Sequence, residues 1–246
     1  MDIFGEVAIV SGGGSGIGRA AVIALAARGA KVVVGDIDEG AAQRTVDLVS
    51  ARGGVAFGVA CDVTKTRDLD MVFAAAAARF GSPRIVLNNA GIGGEDLFAD
   101  ERGDWARIIA IDLTAVIDAT RIAVRSMQQS GAGGVIVNTA SLIGLGPMSA
   151  APVYAAAKAG VVNFSRSLAY LAARSNIRVC TICPELVDTA MAVSLGNDVL
   201  AQLRASNGIL RPEQIAAGMM ELVEDDVRVG AVMRVTVKGG ATYATF

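Results

Sequence analysis

Tyr154 and Lys158 are four residues apart, a spacing that places two side chains on the same face of a helix. The chain contains no histidine, so another type of side chain must take a proton from a substrate hydroxyl. A tyrosine titrates near ~10, and lowering its pKa to ~7 requires roughly 4 kcal/mol in favour of the tyrosinate. A neighbouring ammonium group supplies part of that energy. We therefore predict that Tyr154 is a general acid/base whose pKa is lowered by Lys158.

Ser141 lies 13 residues before Tyr154, shortly after a strand predicted at Gly134–Thr139. Its hydroxyl is suited to hold a substrate oxygen while negative charge develops there. Each of these residues alone is more typical of a turn, of core packing or of a surface. Their occurrence together with a nucleotide-binding loop favours catalysis, and oxidation of an alcohol by hydride transfer needs a base of this kind.

The nucleotide-binding loop is the glycine-rich segment that runs from Ser11 to Gly18, between the first predicted strand and the first predicted helix. Glycines allow a tight turn and bring backbone N–H groups close to a pyrophosphate, and a helix N-terminus adds a positive dipole. The spacing is G-x-x-x-G-x-G. The candidate contacts with the cofactor here are Gly12, Ser15, Gly16, Ile17 and Gly18.

Asp36 ends the second predicted strand, 18 positions after Gly18. A carboxylate there is suited to bind the ribose hydroxyls of an adenosine and repels a 2′-phosphate. Ser15 and Ile37, the neighbours that could accept such a phosphate, are not basic. The sequence therefore predicts NAD as the cofactor. Asp62 and Val63, after the third strand, are weaker candidates for contact with the adenine.

Short apolar runs alternate with alanine-rich segments of helical period, which predicts βαβ units around a sheet that is buried on both faces. We predict an α/β fold: a single Rossmann-type doubly wound domain over residues 1–246, with about seven parallel strands and helices on both faces. The predicted strands are Val7–Val10, Lys31–Gly35, Val55–Cys61, Ile85–Asn88, Gly134–Thr139, Arg178–Cys183 and Val232–Thr236. The predicted helices are Gly16–Arg28, Gly40–Arg52, Thr66–Phe80, Asp104–Ser130, Pro152–Ser175 and Pro212–Glu224.

Composition excludes several classes of protein. With 53% hydrophobic residues in 246 the chain can bury a large core, so disorder is excluded as its main state. A net charge of −2 gives no general attraction to nucleic acid or to an anionic membrane, so we expect neither as a partner. No signal-peptide pattern or apolar span is visible, so we expect a cytoplasmic protein.

The cysteines predict no metal site and no disulfide. Three cysteines without histidine cannot supply the four ligands of a structural zinc site, and a histidine-based triad is impossible. Cys180 and Cys183 lie in a strand-like run, where residues three apart are about 10 Å apart and point to opposite faces. We expect them to be small buried hydrophobes.

The glycine loop, Asn88-Asn89-Ala90-Gly91, Ser141 and Tyr154-x-x-x-Lys158 together resemble the short-chain dehydrogenase/reductase family. The resemblance covers nearly the whole chain. It implies the roles assigned above to Ser141, Tyr154 and Lys158. It also implies a homodimer or homotetramer in which the helices predicted at Asp104–Ser130 and Pro152–Ser175 pair between subunits. It also implies cofactor contacts at Asn89, Gly91, Tyr154, Lys158, Pro184, Val187 and Thr189.

The C-terminal region resembles one branch of that family, the NAD-dependent hydroxyprostaglandin dehydrogenases. The similar segments are Gly208-Ile209-Leu210, Leu222 to Asp226 and Gly230 to Met233. This closer resemblance implies NAD and an apolar secondary alcohol as substrate, without identifying it. The lid over the substrate is expected at 190–207, with an opposite wall at Ile92–Phe98. The apolar residues of the lid at roughly helical spacing fit a substrate wall and also fit a lid helix that packs on the body of the protein: Met191, Val193, Leu195, Val199, Leu200 and Leu203.

Two positions depart from the family pattern. Asp112 stands where the family usually has an asparagine that supports a proton relay, and a carboxylate near Lys158 would raise the pKa of Tyr154. Glu185 follows Pro184, where the family usually has glycine, and its side chain must either point away or enter the mouth of the active site. These departures also support an alternative function: an NAD-binding regulator of this fold with little or no turnover.

Overall fold

A central sheet forms the middle layer of the computed structural model, which describes residues 1–94, 97, 103–206 and 208–246. Its strands are β1 (Val7–Ser11), β2 (Lys31–Asp36), β3 (Val55–Ala60), β4 (Ile85–Asn88), β5 (Gly134–Thr139), β6 (Ile177–Pro184), β7 (Val232–Thr236) and β8 (Gly240–Tyr243). Within the described residues they form one sheet in the order β3-β2-β1-β4-β5-β6-β7-β8. The strands from β1 to β7 pair in parallel, and β8 is antiparallel to β7. The predicted α/β doubly wound fold is confirmed.

Helices cover both faces of the sheet. They are α1 (Gly16–Ala27), α2 (Glu39–Ser50), α3 (Thr66–Phe80), α4 (Trp105–Ile109), α5 (Ala115–Ser130), α6 (Pro152–Ser167), α7 (Leu171–Ser175), α8 (Asn197–Ala205) and α9 (Pro212–Glu224). Apolar side chains of α1, α2 and α9 pack on one face, and those of α3 and α5 pack on the other. Because both faces are covered, β4, β5 and β6 are buried along their whole length.

Two predicted helices are interrupted in the structure. The segment predicted as one helix at Asp104–Ser130 contains a π-turn at Ala110–Thr114, between α4 and α5. The segment predicted as Pro152–Ser175 breaks between α6 and α7, before Asn176 adopts a left-handed conformation with φ of 53°. Alanine-rich sequence preserves helical periodicity across both breaks, so periodicity alone does not locate them.

Strand β8 was not predicted. It is short and mostly exposed, and it returns beside β7 through a turn that contains Gly239 and Gly240. Gly240 has a φ of 60°, a conformation that favours glycine. The glycine pair was the available signal for this hairpin.

The strand order reverses between β1 and β4, which are neighbours in the sheet although β2 and β3 lie between them in sequence. In open parallel sheets, ligands bind beyond the carboxyl ends of the strands at such a point. Ser11 pairs in register with Asn88 there, so the glycine loop after β1 lies beside the segment after β4. The fold therefore brings the predicted cofactor loop and the Asn89–Gly91 segment together.

A buried polar network holds the neighbouring elements in register. Asn88 donates through Nδ2 to Asn138 Oδ1 on β5 at 2.8 Å, and Asn138 donates to Ser165 Oγ on α6 at 2.9 Å. Ser165 lies two helical turns after Lys158 on α6. The network thus fixes the helix that carries Lys158 against the strands that end at the site.

The three cysteines are buried free thiols, as predicted. Cys180 packs in the core under α1 and α9, whereas Cys183 packs with α5 and α6 on the opposite face. Among the described residues, no helix combines the length and the apolar character that a membrane crossing requires.

Candidate active site

The glycine loop has the geometry of a phosphate cradle. Gly12 and Gly16 have φ of 63° and 49°. A Cβ on Gly12 would lie 2.8 Å from Ala90 Cα, and a Cβ on Gly18 would collide with the Gly12 carbonyl oxygen. Helix α1 begins at Gly16, and the Ser15 side chain does not cap it. The first backbone N–H groups of α1 therefore remain available to an anion, so the loop fits a dinucleotide pyrophosphate.

Asp36 lies at the end of β2 beside this loop. Its Oδ2 accepts a hydrogen bond from the Gly14 N–H at 2.8 Å, and its Oδ1 accepts one from the Asp38 N–H at 3.0 Å. These bonds hold the carboxylate at the mouth of the loop. A Cβ on Gly14 would lie 2.7 Å from Asp36 Oδ2, so any other residue at this position would displace the carboxylate. The neighbouring Ile37 is 69% exposed. An exposed apolar residue at this rim offers no charge to a 2′-phosphate.

The Asp62 carboxylate binds neighbouring residues of its own loop. Its Oδ1 accepts hydrogen bonds from the Thr64 N–H at 3.1 Å and from the Thr64 hydroxyl at 2.7 Å, and Lys65 Nζ lies 3.3 Å from Oδ2. The Thr64 hydroxyl above all holds the pKa of this carboxyl below its usual range. The side chain is thus organised before α3, and Val63 follows it with partial burial in the core.

The segment after β4 connects the cofactor loop to the predicted catalytic residues. The N–H groups of Asn89 and Ala90 donate to Ser11 Oγ at 3.1 and 3.2 Å, which fixes this segment to the end of β1. Ala90 packs on Gly12, and a Cβ on the next residue, Gly91, would lie 3.5 Å from Lys158 Nζ. One short turn therefore touches the predicted phosphate loop and the predicted catalytic lysine.

The structure brings Tyr154, Lys158 and Ser141 together beyond the carboxyl end of β5. Lys158 is 3% exposed, and its Nζ donates to the Thr139 carbonyl oxygen at 3.1 Å. The same Nζ lies 5.5 Å from the centre of the Tyr154 ring. Ser141 Oγ accepts a hydrogen bond from the Ile143 N–H at 3.3 Å, which holds the serine at the start of a 3₁₀ turn at Leu142–Leu145. The spacing of four residues thus places the ammonium beside the phenol, as predicted.

The balance of effects on Tyr154 differs from the expectation of a lowered pKa. Burial raises the pKa of Tyr154, the Lys158 ammonium lowers it, the Asp112 carboxylate raises it, and a hydrogen bond with Ser141 lowers it. The net direction is upward, because burial disfavours the charged tyrosinate more than one ammonium favours it. Burial of the ring therefore opposes the lowering of the pKa that the sequence predicts for Tyr154.

Asp112 lies inside the site, at the centre of the π-turn. It is fully buried, its Oδ1 accepts the Ile92 N–H at 3.1 Å, and this oxygen lies 3.4 Å from Lys158 Nζ. Burial raises the pKa of the Asp112 carboxyl, and Lys158 and the Ile92 N–H lower it in part. The expected proximity of Asp112 to Lys158, and its upward effect on the pKa of Tyr154, are both present in this geometry.

Glu185 points away from the site. Its Oε2 accepts the Val237 N–H at 2.8 Å, and its own N–H donates to the Val235 carbonyl at 2.9 Å. The side chain is therefore directed to the segment after β7, and φ at this position is not in the region that favours glycine. Of the two orientations that the sequence left open, the structure has the one outside the mouth.

The segment after β6 lies against the glycine loop. Thr189 packs near Gly16, where a Cβ on the glycine would lie 3.0 Å from Thr189 Cγ2. Pro184 ends β6, and Val187 forms a parallel bridge with Leu210. A cleft of about 400 Å³ opens between α1 and this segment and includes both Gly16 and Thr189 in its lining.

The predicted lid is mainly helical. It contains a 3₁₀ segment at Ala190–Leu195 followed by α8. Leu200 is buried with Ala192 and Ile209, and Leu203 packs against them. Met191, Val193 and Val199 are exposed on the outside of this small core. The side chain of Leu195, and the whole of Asn207, lie outside the described residues.

Polar contacts tie the two ends of the lid together. Asp188 N–H donates to the Leu210 carbonyl at 2.8 Å, and Leu210 N–H donates to the Leu186 carbonyl at 2.9 Å. Arg204 of α8 makes two hydrogen bonds to the Asp188 carboxylate, at 2.8 and 2.7 Å. Backbone hydrogen bonds therefore hold the two ends of the predicted lid together at Asp188 and Leu210, and Arg204 binds α8 to the same place.

A second cleft, of about 290 Å³, lies beside α6, on the side of the predicted opposite wall. Two charged residues, Asp104 and Arg107, line this cleft together with the apolar residues Ile92, Leu97, Trp105, Ile108 and Val153. Val153 precedes Tyr154 in α6, so the cleft is continuous with the segment that carries the predicted base. The rest of the predicted wall at Ile92–Phe98, namely residues 95, 96 and 98, lies outside the described residues.

A family model described as short chain dehydrogenase matches residues 6–200. This chain belongs to the short-chain dehydrogenase family. The predicted family membership is thereby confirmed, and the chain is an oxidoreductase.

Individual relatives of this short-chain dehydrogenase agree with that assignment. The human protein named 15-hydroxyprostaglandin dehydrogenase (NAD(+)) is 34% identical over 263 residues, which cover 100% of this chain and 96% of the relative. The protein named cis-4-hydroxycyclohexanecarboxylate dehydrogenase from Sinomonas cyclohexanicum is 40% identical over 244 residues, 96% of each chain. A crystal structure of a short-chain type dehydrogenase/reductase from Mycobacterium marinum superposes with a TM-score of 0.87 at 26% identity, over 96% of each chain. The name of the human relative contains both the hydroxyprostaglandin branch and the cofactor, NAD, that the sequence predicts for this chain.

Several residues of this short-chain dehydrogenase site were not singled out from the sequence. The Thr139 carbonyl accepts the Lys158 ammonium, Ser11 holds the Asn89–Gly91 segment, and Gly144 lies against the backbone of α6, where a Cβ would be 2.7 Å from the Lys158 carbonyl carbon. A backbone acceptor and a close approach leave no residue-type signal of their own. A buried lysine needs hydrogen-bond acceptors, and this requirement alone suggested an acceptor near Lys158. It did not identify the Thr139 carbonyl.

Proposed function

We propose that this short-chain dehydrogenase interconverts a secondary alcohol and a ketone, with NAD as cofactor, an apolar substrate, and Tyr154 as the general acid/base. The observation that carries the proposal is the meeting of Tyr154, Ser141 and Lys158 at the end of β5, with Lys158 Nζ 5.5 Å from the phenol ring. The Asn89–Gly91 turn joins this group to the glycine loop.

In the oxidation direction, Tyr154 accepts the hydroxyl proton while the carbon gives up a hydride, so that the O–H and C–H bonds break and the carbonyl bond forms. In reduction Tyr154 returns the proton. Ser141 holds the substrate oxygen as charge develops on it. Lys158 favours the tyrosinate and binds the cofactor ribose, and Asp112 supports the transfer of protons to and from Lys158.

NAD, when bound, supplies the hydride acceptor and the positive charge of its oxidised ring. The residues that would hold the pyrophosphate are Gly12, Ser15, Gly16, Ile17 and Gly18, and those that would contact the adenosine are Asp36, Ile37, Asp62 and Val63. Asn89, Gly91, Pro184, Val187 and Thr189 would complete the cofactor contacts, and Thr189 would bind the carboxamide. The uncapped N-terminus of α1 and the fixed carboxylate of Asp36 support this assignment.

The substrate carries a secondary hydroxyl on a largely hydrocarbon skeleton. The apolar residues in the lining of the cleft beside Val153 support this, as do the exposed apolar side chains of the predicted lid. The two relatives are named for a hydroxyprostaglandin and for a hydroxycyclohexanecarboxylate, and both names describe a hydroxyl on such a skeleton. Glu185 adds no polar group to the mouth, because its carboxylate binds the Val237 N–H.

Formation of reduced nicotinamide tests the proposal. The purified chain is assayed with NAD and with NADP against 15-hydroxyprostaglandins, cis-4-hydroxycyclohexanecarboxylate, steroids, hydroxy fatty acids and simple secondary alcohols. We expect turnover with NAD that is lost in Tyr154→Phe and kept in Tyr170→Phe, a matched control at a tyrosine that is 56% exposed. Tight NAD binding without turnover on any alcohol would favour the regulator instead.

A homodimer or homotetramer is part of the same proposal. Trp105 of α4 and Ile117 of α5 are exposed apolar side chains on the helices that the family resemblance assigns to subunit pairing. Light scattering of the purified protein measures the mass directly, and a mass of 25.1 kDa would contradict this part.

A further inference from the structure

Asp112 is a buried carboxylate whose charge the architecture does not require. Its Oδ1 accepts the Ile92 N–H, a task that a neutral amide oxygen would perform equally well. Its Oδ2 is buried and has no hydrogen-bond partner among the described residues. Burying a charge costs free energy unless an opposite charge compensates it. An ionised Asp112 therefore needs a neighbouring cation, and it weakens the electrostatic field of that cation.

The charge beside it is Lys158. Nζ of Lys158 lies between Asp112 Oδ1, at 3.4 Å, and the Thr139 carbonyl oxygen, at 3.1 Å. Gly91 closes the other side, where a Cβ would lie 2.6 Å from Asp112 Oδ1. The side chain of Asp112 is 0% exposed and that of Lys158 is 4% exposed, so water screens the pair little.

We propose that Asp112 is a titrating positioning residue that sets how strongly the Lys158 ammonium acts on Tyr154. In its protonated form Asp112 leaves the ammonium unopposed, and tyrosinate is favoured. In its ionised form it cancels much of the ammonium field, and the phenol is favoured. The proposal rests on the proposed role of Tyr154 as general acid/base.

The other groups that face Tyr154 are neutral, so the charges of Lys158 and Asp112 have the main electrostatic effect on its pKa. Ser141 contributes a neutral hydroxyl, and Cys183 of β6 contributes a thiol. Burial raises the pKa of Cys183 to about 12, with Lys158 and Arg234 of β7 opposing that rise, so the thiol is neutral at physiological pH. Among the described residues, Lys158 and Asp112 are the main charges that act on the phenol.

The π-turn supports the assignment. It inserts Ala110–Thr114 between α4 and α5 and brings Asp112 to the buried side of the helix, against α6. Turns of this kind interrupt the regular hydrogen bonding of a helix and occur often at functional sites. Burial raises the pKa of the Asp112 carboxyl, against the opposing effect of Lys158. Asp112 and Tyr154 should then titrate as a coupled pair.

Asp112→Asn tests the proposal because it keeps the shape and the acceptor and removes the charge. Oδ1 of Asp112 lies within about 9 Å of the Tyr154 ring centre, so at an effective dielectric constant of about 20 the titration of Tyr154 should fall by about one pH unit. At pH values above the titration of Asp112 and below that of Tyr154, the variant should oxidise alcohol about tenfold faster than the wild type, and the difference should vanish where Asp112 is protonated. Asp118→Asn is the matched control: it removes a carboxylate of α5 that is partly exposed and paired with Arg121.

A readout that does not depend on turnover is fluorine NMR of protein labelled with difluorotyrosine, a more acidic phenol. The chain has three tyrosines, and Tyr154→Phe identifies the signal of Tyr154. We expect the signal of Tyr154 to titrate about one pH unit lower in Asp112→Asn and to be unchanged in Asp118→Asn. If Asp112→Asn does not fold, Asp112→Ser provides the same neutral comparison.

An unchanged titration of Tyr154 in a folded neutral variant would overturn the proposal, because it would leave Asp112 as a structural acceptor only. A change in thermal stability without a change in titration would have the same meaning. The proposed function can fail separately: absence of turnover on every alcohol would refute it, while the shift in the NMR titration would stand.

Discussion

Replacing Lys158 with methionine removes the ammonium that favours the tyrosinate form of Tyr154. It should therefore shift the titration of Tyr154 in the direction opposite to the shift expected for Asp112→Asn. The ammonium lies 5.5 Å from the ring centre. At an effective dielectric constant of about 20, a unit charge at that distance stabilises a tyrosinate by about 3 kcal/mol, or about two pH units. Asp112 would lose its cation, and burial would keep its carboxyl neutral, so it would add little of the opposite sign. We therefore expect the pH dependence of oxidation to move upward by about two pH units.

The assay is the initial rate of NADH formation across a range of pH, at NAD concentrations that saturate each variant. Saturation matters because Lys158 is also a proposed contact of the cofactor ribose. At pH values below both titrations, kcat of Lys158→Met should be about 100-fold lower than that of the wild type. Lys238→Met is the control, since this lysine is exposed in the turn between β7 and β8.

The pH profile separates electrostatics from positioning. A fall in kcat by the same factor at every pH would refute the reasoning, because it would mean that Lys158 orients the reactants without changing the proton affinity of Tyr154. Loss of the bond to the Thr139 carbonyl will also lower the free energy of unfolding. A urea titration of each variant shows whether the assay was made on folded protein.

Two further substitutions address the surroundings of the site. Gly91→Ala would place a Cβ 2.6 Å from Asp112 Oδ1, so we expect a loss of about 1–3 kcal/mol in urea unfolding together with reduced kcat, whereas Gly146→Ala, at an extended residue with open space, should stay within about 1 kcal/mol of the wild type. Equal effects of the two would contradict the crowding at Gly91. Glu185→Ala removes the acceptor of the Val237 N–H and should cost about 0.5–1.5 kcal/mol, with kcat/KM within about twofold of the wild type. A large rise in KM would instead place Glu185 at the substrate.

Local patterns explain why much of the site was predictable. The i and i+4 spacing of Tyr154 and Lys158 fixes their shared face wherever a helix forms. The glycines before α1 permit a tight turn and close approaches of the backbone, and such a loop between a strand and a helix is typical of a phosphate site. The parallel strands were readable because burial on both faces makes them continuous apolar runs.

What could not be predicted depends on the direction of side chains and on small backbone irregularities. The π-turn at Ala110–Thr114 changes the helix by a fraction of a turn, which the hydrophobic pattern does not register. The net upward shift in the pKa of Tyr154 depends on burial, which outweighs one ammonium, and burial is a property of the packed molecule. The edge strand β8 is polar and exposed, so its sequence lacks the apolar run that marks the other strands.

Asp112 and Glu185 show that the sequence alone does not tell a buried carboxylate from an exposed one. Both introduce a carboxylate where the family pattern has a neutral residue, and the sequence gives no reason to treat them differently. The structure places Glu185 in water with a backbone N–H as its partner, where a charge is screened and acts on little. It places Asp112 in the interior, 3.4 Å from the ammonium that the proposed mechanism uses. A charge in that position must be compensated by Lys158, and compensation reduces what Lys158 can do for Tyr154. The buried departure is therefore the one that should change the chemistry.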